Sequence, residues 1–264
     1  MYETIILEKK ENIATITLNR SEKRNAINEK MAEELIDVFG VVDRDDDVRV
    51  VVIRGAGSAF CAGADIQESF LKKVEERKKG IVGNVTLEFS ERGCLELAKV
   101  RKPVIASING PAAGGGCTLT LVCDIRIASE KARFSLPFAR LGIAPELGST
   151  YFLPRLIGIG KACELVFTAR MIDAKEAKEI GLVNQVVPAN ELTKATYEMA
   201  NNIAKLAPLS IQLSKRALYR GLNNDLATQS QYEVLTNIHL LGTEDYEEGA
   251  KAFSEKREPV FKGK

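Results

Sequence analysis

Histidine is nearly missing from this 264-residue chain, which has one, His239. A Ser–His–Asp or Cys–His mechanism would have to run through that residue. A metal site would have to be built almost wholly from carboxylates, and none is expected. His239 stands in an apolar-periodic stretch between Tyr232 and Leu241 and is expected to pack within a helix rather than to catalyse. Cysteines are few: Cys61, Cys94, Cys117, Cys123 and Cys163, with no C-x-x-C spacing. An odd count in a chain of this length does not suggest a disulfide framework, so reduced thiols and a cytoplasmic location are expected. No uninterrupted apolar run reaches the roughly 18 residues of a membrane helix. Met1 leads directly into a strand pattern without a basic segment and apolar core behind it, so no signal peptide and no membrane association are expected. Net charge is missing too. Lys and Arg number 37 against 36 Asp and Glu, which leaves no global attraction to nucleic acid or an anionic surface.

Apolar residues make up 45% of the chain and charged residues 28%, enough for a sizeable core in one α/β unit. Strand patterns are expected at Thr4 to Leu7, Ile13 to Leu18, Val48 to Ile53, Pro103 to Asn109 and Asp124 to Ala128. The third is a β-branched run broken only by Arg49, as in a strand buried on both faces. Met31, Leu35, Val38, Phe39 and Val42 mark an amphipathic helix over Asn28 to Val42, and residues 65 to 100 read as mostly helical. The alternation stops near Leu136. From Leu147 onward helices are expected at 149–156, 161–169, 175–180, 191–206, 208–220, 225–241 and 245–256, with one strand at Val183 to Val187. The chain therefore divides into an α/β core over 1–195 and a C-terminal helical region over 196–264, with no linker between them.

Two small-residue loops follow buried strands and lead into helices: Ala59 to Ile66, and Asn109 to Cys117. Small residues let backbone N–H groups approach a ligand, and a helix N-terminus adds unpaired donors and partial positive charge. Such a loop suits a phosphate or an oxyanion. The phosphate patterns fail, because no lysine follows Gly116 and neither loop has G-x-G-x-x-G spacing. On spacing alone, close helix–strand packing explains the glycines equally well.

Several strings lie in order along the chain: Leu18-Asn19-Arg20-Ser21-Glu22-Lys23-Arg24-Asn25-Ala26, Ala62-Gly63-Ala64-Asp65-Ile66, and Asn109-Gly110 through Gly114-Gly115-Gly116 to Cys123-Asp124. They are followed by Leu141-Gly142-Ile143-Ala144-Pro145, Leu153-Pro154-Arg155, Gly181-Leu182-Val183 and Arg257-Glu258-Pro259-Val260-Phe261. In this combination the chain resembles the enoyl-CoA hydratase/isomerase (crotonase) family over nearly its whole length. The resemblance implies a spiral of ββα turns with a helical trimerisation layer, assembled as a homotrimer or a dimer of trimers. It implies that the backbone N–H groups of Ala64 and Gly115 bind a thioester carbonyl. Arg24, Ala26, Ala62, Asp65 and Ile66 are then contacts for coenzyme A, which is part of the substrate, so no separate cofactor is expected. Gly114, Thr118 and Phe138 fall on the substrate side. The basic tail, Lys256, Arg257, Lys262 and Lys264, is placed to cap a neighbouring subunit's site.

Hydration in this family uses two glutamates around one water. The first falls three residues after the second oxyanion-hole glycine, here Thr118, and the second falls twenty residues further on, here Phe138. Neither side chain is a base near neutral pH. A carboxylate stands instead at Glu146, in a Pro-Glu-x-x-Ser segment that resembles members shifting double bonds, where one base is enough. The expectation is therefore isomerisation between 3- and 2-enoyl thioesters with Glu146 as the base. Hydration, or another acyl-CoA lyase or isomerase reaction, stays open, and so does a capping role for Glu146 at the helix beginning near Leu147. A branch of the family binds RNA through a lysine-bearing helix. Here Lys72, Lys73, Arg77, Lys78 and Lys79 alternate with Glu68, Glu75 and Glu76, a pattern that pairs with itself, so no nucleic acid is expected. Cys61 and Cys117 are read as packing residues, Asp124 and Arg126 as structural polar contacts, and Tyr151 as a packing residue.

Overall fold

The computed structural model describes residues 1–71, 74–75, 78–79 and 85–264. The basic run at Lys72, Lys73 and Arg77 lies outside the described residues, as does part of the 65–100 helical stretch. Strands β1 (Ile5–Lys10) and β2 (Ile13–Leu18) pair antiparallel, joined by Glu11 and Asn12 with φ of 50° and 64°. Two left-handed residues give a hairpin turn whose twist matches its strands. The ladder continues through Glu8, Lys9 and Lys10, beyond the expected end at Leu7, because an edge strand carries charged residues on its open side without burying them.

From β2 onward the chain repeats a strand, a shorter strand-like segment and a helix. Helix α1 (Glu29–Arg44) starts at Asn28, whose side chain accepts from Met31 N at 3.0 Å, and buries Met31, Leu35, Val38, Phe39 and Val42. β3 (Val50–Gly55) is followed by a π-type turn at Ile66–Leu71 and α2 (Val85–Lys99). β4 (Val104–Ile108), β5 (Ala112–Ala113) and α3 (Gly115–Val122) make the next turn. β6 (Ile125–Ser129), β7 (Arg133–Ser135) and a 3-10 turn at Pro137–Leu141 lead to α4 (Ser149–Ile157) and α5 (Ile159–Thr168). Then come β8 (Ile172–Asp173), α6 (Ala174–Glu179), β9 (Gln185–Val187) and α7 (Leu192–Ala204). Helices α8 (Pro208–Gly221), α9 (Leu226–Leu241) and α10 (Glu244–Glu255) close the chain.

The main sheet has the order β1-β2-β3-β4-β6-β9, parallel from β2 onward, and a second sheet has the order β5-β7-β8. The short strands β5, β7 and β8 lack a run long enough to be read from sequence, since two or three residues show no period. Alternation along β3 sends Val51 and Ile53 to the large core and Val50 and Val52 to a smaller one behind the sheet. That second face is covered by α7 through Leu192, Ala200 and Ala204. The expected border at 195/196 therefore falls inside a helix that packs on the sheet, and the separate helical layer begins only with α8. Arg49 ties this end together, donating to Ala204 O at 3.0 Å and Phe261 O at 2.7 Å.

His239 does not pack as expected. It is exposed on α9 and lines a groove of about 720 Å³ between α8, α9, α4 and the end of α2. Among the described residues no helix is long and apolar enough to cross a membrane.

Candidate active site

Each parallel strand is followed at its C-terminal end by a segment that crosses to the next, and these segments are stitched edge to edge. Ala62 N donates to Arg24 O at 3.0 Å, Ile27 N to Gly63 O at 2.7 Å and Asp65 N to Ile27 O at 2.8 Å. On the other side Phe60 N donates to Pro111 O at 3.0 Å, Ala113 N to Cys61 O at 3.0 Å and Gly114 N to Ser135 O at 3.0 Å. Ligands of parallel sheets bind outside the C-terminal strand ends, and this is where both glycine-rich loops meet.

Asn25 locks the arrangement. It is fully buried with a left-handed φ of 56°, and its amide donates to Ala56 O, Ala59 O and Phe60 O at 2.9 to 3.1 Å while accepting from Arg20 N at 3.0 Å. Arg20 adds a second lock, donating to Ala26 O at 2.6 Å and to Asp65 Oδ2 at 3.0 Å. Asp65 is 7% exposed. Its carboxylate faces Arg20, which explains the acid at this position by loop geometry, without coenzyme A. Asn25 and Arg20 stand in the first of the strings that carry the resemblance, but nothing in their spacing announces that they hold loops together.

Between the stitches the amides of Ala64 and Gly115 are left over. Ala64 N and Gly115 N donate to no acceptor among the described residues. Gly115 opens α3, where helix geometry leaves its N–H unpaired. The two lie side by side: a Cβ built on Gly115 would sit 3.9 Å from Ala64 N, and one built on Gly63 would sit 3.3 Å from Gly115 N. Gly63 has φ of 94° and no room for a side chain, since its Cβ would fall 2.7 Å from Ala113 O. Only glycine brings the loops this close.

Glu146 completes the group. A Cβ on Gly115 would sit 3.8 Å from Glu146 Oε1, the nearest atom to it. The other oxygen, Oε2, accepts a short hydrogen bond from Ser90 Oγ on α2. The capping alternative does not hold: α4 starts at Ser149 with Gly148 as its N-cap and no side-chain cap bond. A carboxylate oxygen and two amides without an acceptor among the described residues thus lie around one point beside Gly115.

The remaining expected residues separate into a rim and a floor. Arg24, Ala62 and Ile66 are exposed and Ala26 is buried, along the edge leading to Ala64. Gly114, with φ of 50°, precedes α3. Thr118 is fully buried and donates to Gly115 O at 3.0 Å, so its hydroxyl is used within the helix. Phe138 is buried in the 3-10 turn, and its carbonyl accepts from Ile143 N at 3.2 Å. Burial pushes the Cys61 and Cys117 thiols up to about 12, which keeps them neutral packing groups. Asp124 accepts from Lys215 at 2.7 Å and Tyr219 at 2.8 Å, and the buried Arg126 donates to Leu182 O at 2.8 Å, both structural. Tyr151 lines the α8–α9 groove and accepts from Asn223 at 2.9 Å. Ser90 went unread, because a serine in a charged helical stretch has no periodic signature.

A family model described as enoyl-CoA hydratase/isomerase matches residues 8–264. The chain belongs to that family. It is 43% identical over 255 residues to the short-chain-enoyl-CoA hydratase of Clostridium acetobutylicum, covering 96% of this chain and 95% of the relative. It is 40% identical over 262 residues to the crotonyl-CoA hydratase of Syntrophomonas wolfei, covering 98% of each. The crystal structure of the enoyl-CoA hydratase of Bacillus anthracis superposes with a TM-score of 0.91 at 37% identity, covering 99% of this chain and 100% of that one. The fold is that of the crotonase family, and the protein is an enzyme of the enoyl-CoA hydratase/isomerase class.

Neighbouring glycines of this enzyme make a contrast. A Cβ at Gly115 meets nothing closer than 3.8 Å, whereas one at Gly116 would fall 2.3 Å from Cys61 O. Gly115→Ala is expected to melt near the wild-type temperature yet lose activity on enoyl-CoA by roughly a hundredfold, because the methyl fills the space between amide and carboxylate. Gly116→Ala is expected to lose about 1–3 kcal/mol of stability, because backbone must move. Thermal melts and steady-state rates on both variants check this, and a fully active Gly115→Ala would place the reacting carbonyl elsewhere.

Proposed function

We propose that this enzyme moves a double bond along an enoyl-CoA thioester, with the Ala64 and Gly115 amides binding the thioester oxygen and Glu146 as the single base. The observation that carries the reading is the approach of Glu146 Oε1 to the Gly115 edge of the amide pair. Thr118 and Phe138 stand where hydration in this family uses glutamates. In this reading the carboxylate takes a proton from C2 of a 3-enoyl thioester, and the C2–H electron pair moves into a dienolate whose oxygen carries the charge. The same group then returns the proton at C4, leaving the double bond between C2 and C3. Backbone donors aimed at such an oxygen are worth roughly a hundredfold or more in rate apiece, and a positioned acid–base adds a similar factor. Arg24, Ala26, Ala62 and Ile66 are proposed to meet coenzyme A along the rim, with Asp65 holding that rim through Arg20.

Water addition to a 2-enoyl thioester is the second reading. It is favoured by the relatives, which are named short-chain-enoyl-CoA hydratase and crotonyl-CoA hydratase. The amide pair would serve it equally, with Glu146 orienting the water. Incubation with 3-enoyl-CoA and 2-enoyl-CoA separately distinguishes the two. Migration is expected from the 3-enoyl substrate, with a loss of about a hundredfold or more in Glu146→Gln. Hydration without migration would establish the second reading, and migration that survives Glu146→Gln would remove Glu146 as the base.

Self-association is proposed as well. Leu218 on α8, Leu222 just beyond it, Leu226, Leu235 and Ile238 on α9 and Phe253 on α10 lie exposed, more apolar surface than a monomer usually leaves open. Light scattering is expected to give three or six times the 28.9 kDa chain mass. A monomer would contradict it.

A further inference from the structure

The carboxylate of Glu146 is aimed by a helix remote from its own loop. Leu147 and Gly148 have left-handed backbone, with φ of 55° and 70°, and the turn closes where Ser149 N donates to Glu146 O at 3.1 Å. This fixes the backbone of Glu146. Its side chain retains several rotatable bonds whose freedom must be removed by a contact. Among the described residues the contact is Ser90 of α2, whose hydroxyl donates to Oε2. Ser149, nearer in sequence, does not supply it: its buried hydroxyl has no partner among the described residues.

The seating of the loop on α2 is tight. A Cβ at Gly148 would fall 2.5 Å from Cys94 Sγ, and Cys94 lies one helical turn beyond Ser90 on the same face. Leu147 is buried at 3% exposure. The turn is thus clamped to α2 by packing at Cys94, and its side chain is clamped to the same helix by the serine one turn earlier.

We propose that Ser90 is a positioning residue: its hydroxyl holds one oxygen of Glu146 so that the other stays over the Ala64–Gly115 pair. The inference rests on the reading of Glu146 as the base and deepens it. Ser90 acts through Glu146: its hydroxyl selects one rotamer of the carboxylate.

The test compares wild type, Ser90→Ala, Ser90→Thr and Glu146→Gln on whichever of the two enoyl-CoA reactions the wild type catalyses. Ser90→Ala is expected to lower kcat by about ten- to a hundredfold, as for a reacting group misplaced by an ångström, with KM changed less than about threefold. Ser90→Thr keeps the hydroxyl and is expected to recover most of the rate. Ser90→Ala with wild-type kcat overturns the proposal. So does a fall in rate that threonine does not rescue, or one that appears in KM rather than kcat, since that is the signature of packing alone. If Glu146→Gln remains active, the reading of the base fails and takes this inference with it. If Glu146→Gln is inactive while Ser90→Ala is unaffected, only the inference fails.

Discussion

An unpaired amide is costly to bury, and this fold keeps one at buried Gly115 beside another at half-buried Ala64. Backbone N–H groups in a folded interior are nearly always bonded. Around Ala64 and Gly115 the flanking loop amides pair: Ile27 to Gly63, Asp65 to Ile27, Ala113 to Cys61, Gly114 to Ser135. These satisfied bonds hold the Ala64 and Gly115 amides in place. The remaining features of the site follow from that stitching. Gly63 is there because a side chain would strike Ala113 O, and Asn25 is there because three carbonyls of the Gly55–Cys61 turn need a donor.

The main sheet supplies the rigidity. Its central strands are buried on both faces, with α7 covering the side away from α1, so the strand ends that carry the loops have little freedom. The ββα repeat then delivers one loop per turn to the same edge. A site made of main-chain donors on such a frame tolerates wide change in side chains. On the proposed reading, Thr118 and Phe138, at positions where the family resemblance implies glutamates, change the proton chemistry while leaving the amide pair untouched. On this account the carboxylate is an interchangeable part, supplied by the turn before α4 and aimed from α2.

Much of this was legible in the sequence. The β-branched run at Val50–Ile53 and the periodic helices from Ser149 onward announced themselves because burial imposes a period on long elements. The family strings located both glycine-rich loops. Short elements were not legible: β5, β7 and β8 have two or three residues each and arise from tertiary pairing rather than local preference. The border at 195/196 misplaced α7 because an amphipathic helix reads the same whether it covers a sheet or joins a helical layer. The sequence suggests a packed His239 because half of α9 is apolar, although its apolar side chains lie exposed on this chain. The Ser90–Glu146 contact spans 56 residues and involves two residue types common on any surface, so it leaves no trace in spacing.

The central claim is that the amides of Ala64 and Gly115 polarise one thioester carbonyl. The most direct measurement is the carbonyl stretching frequency of an acyl-CoA labelled with carbon-13 at the thioester, free and bound, by isotope-edited infrared or Raman difference spectroscopy. Two hydrogen bonds to the oxygen weaken the C=O bond, so the band is expected to move to lower frequency on binding. A bound thioester whose carbonyl band stays at its solution frequency would contradict the account.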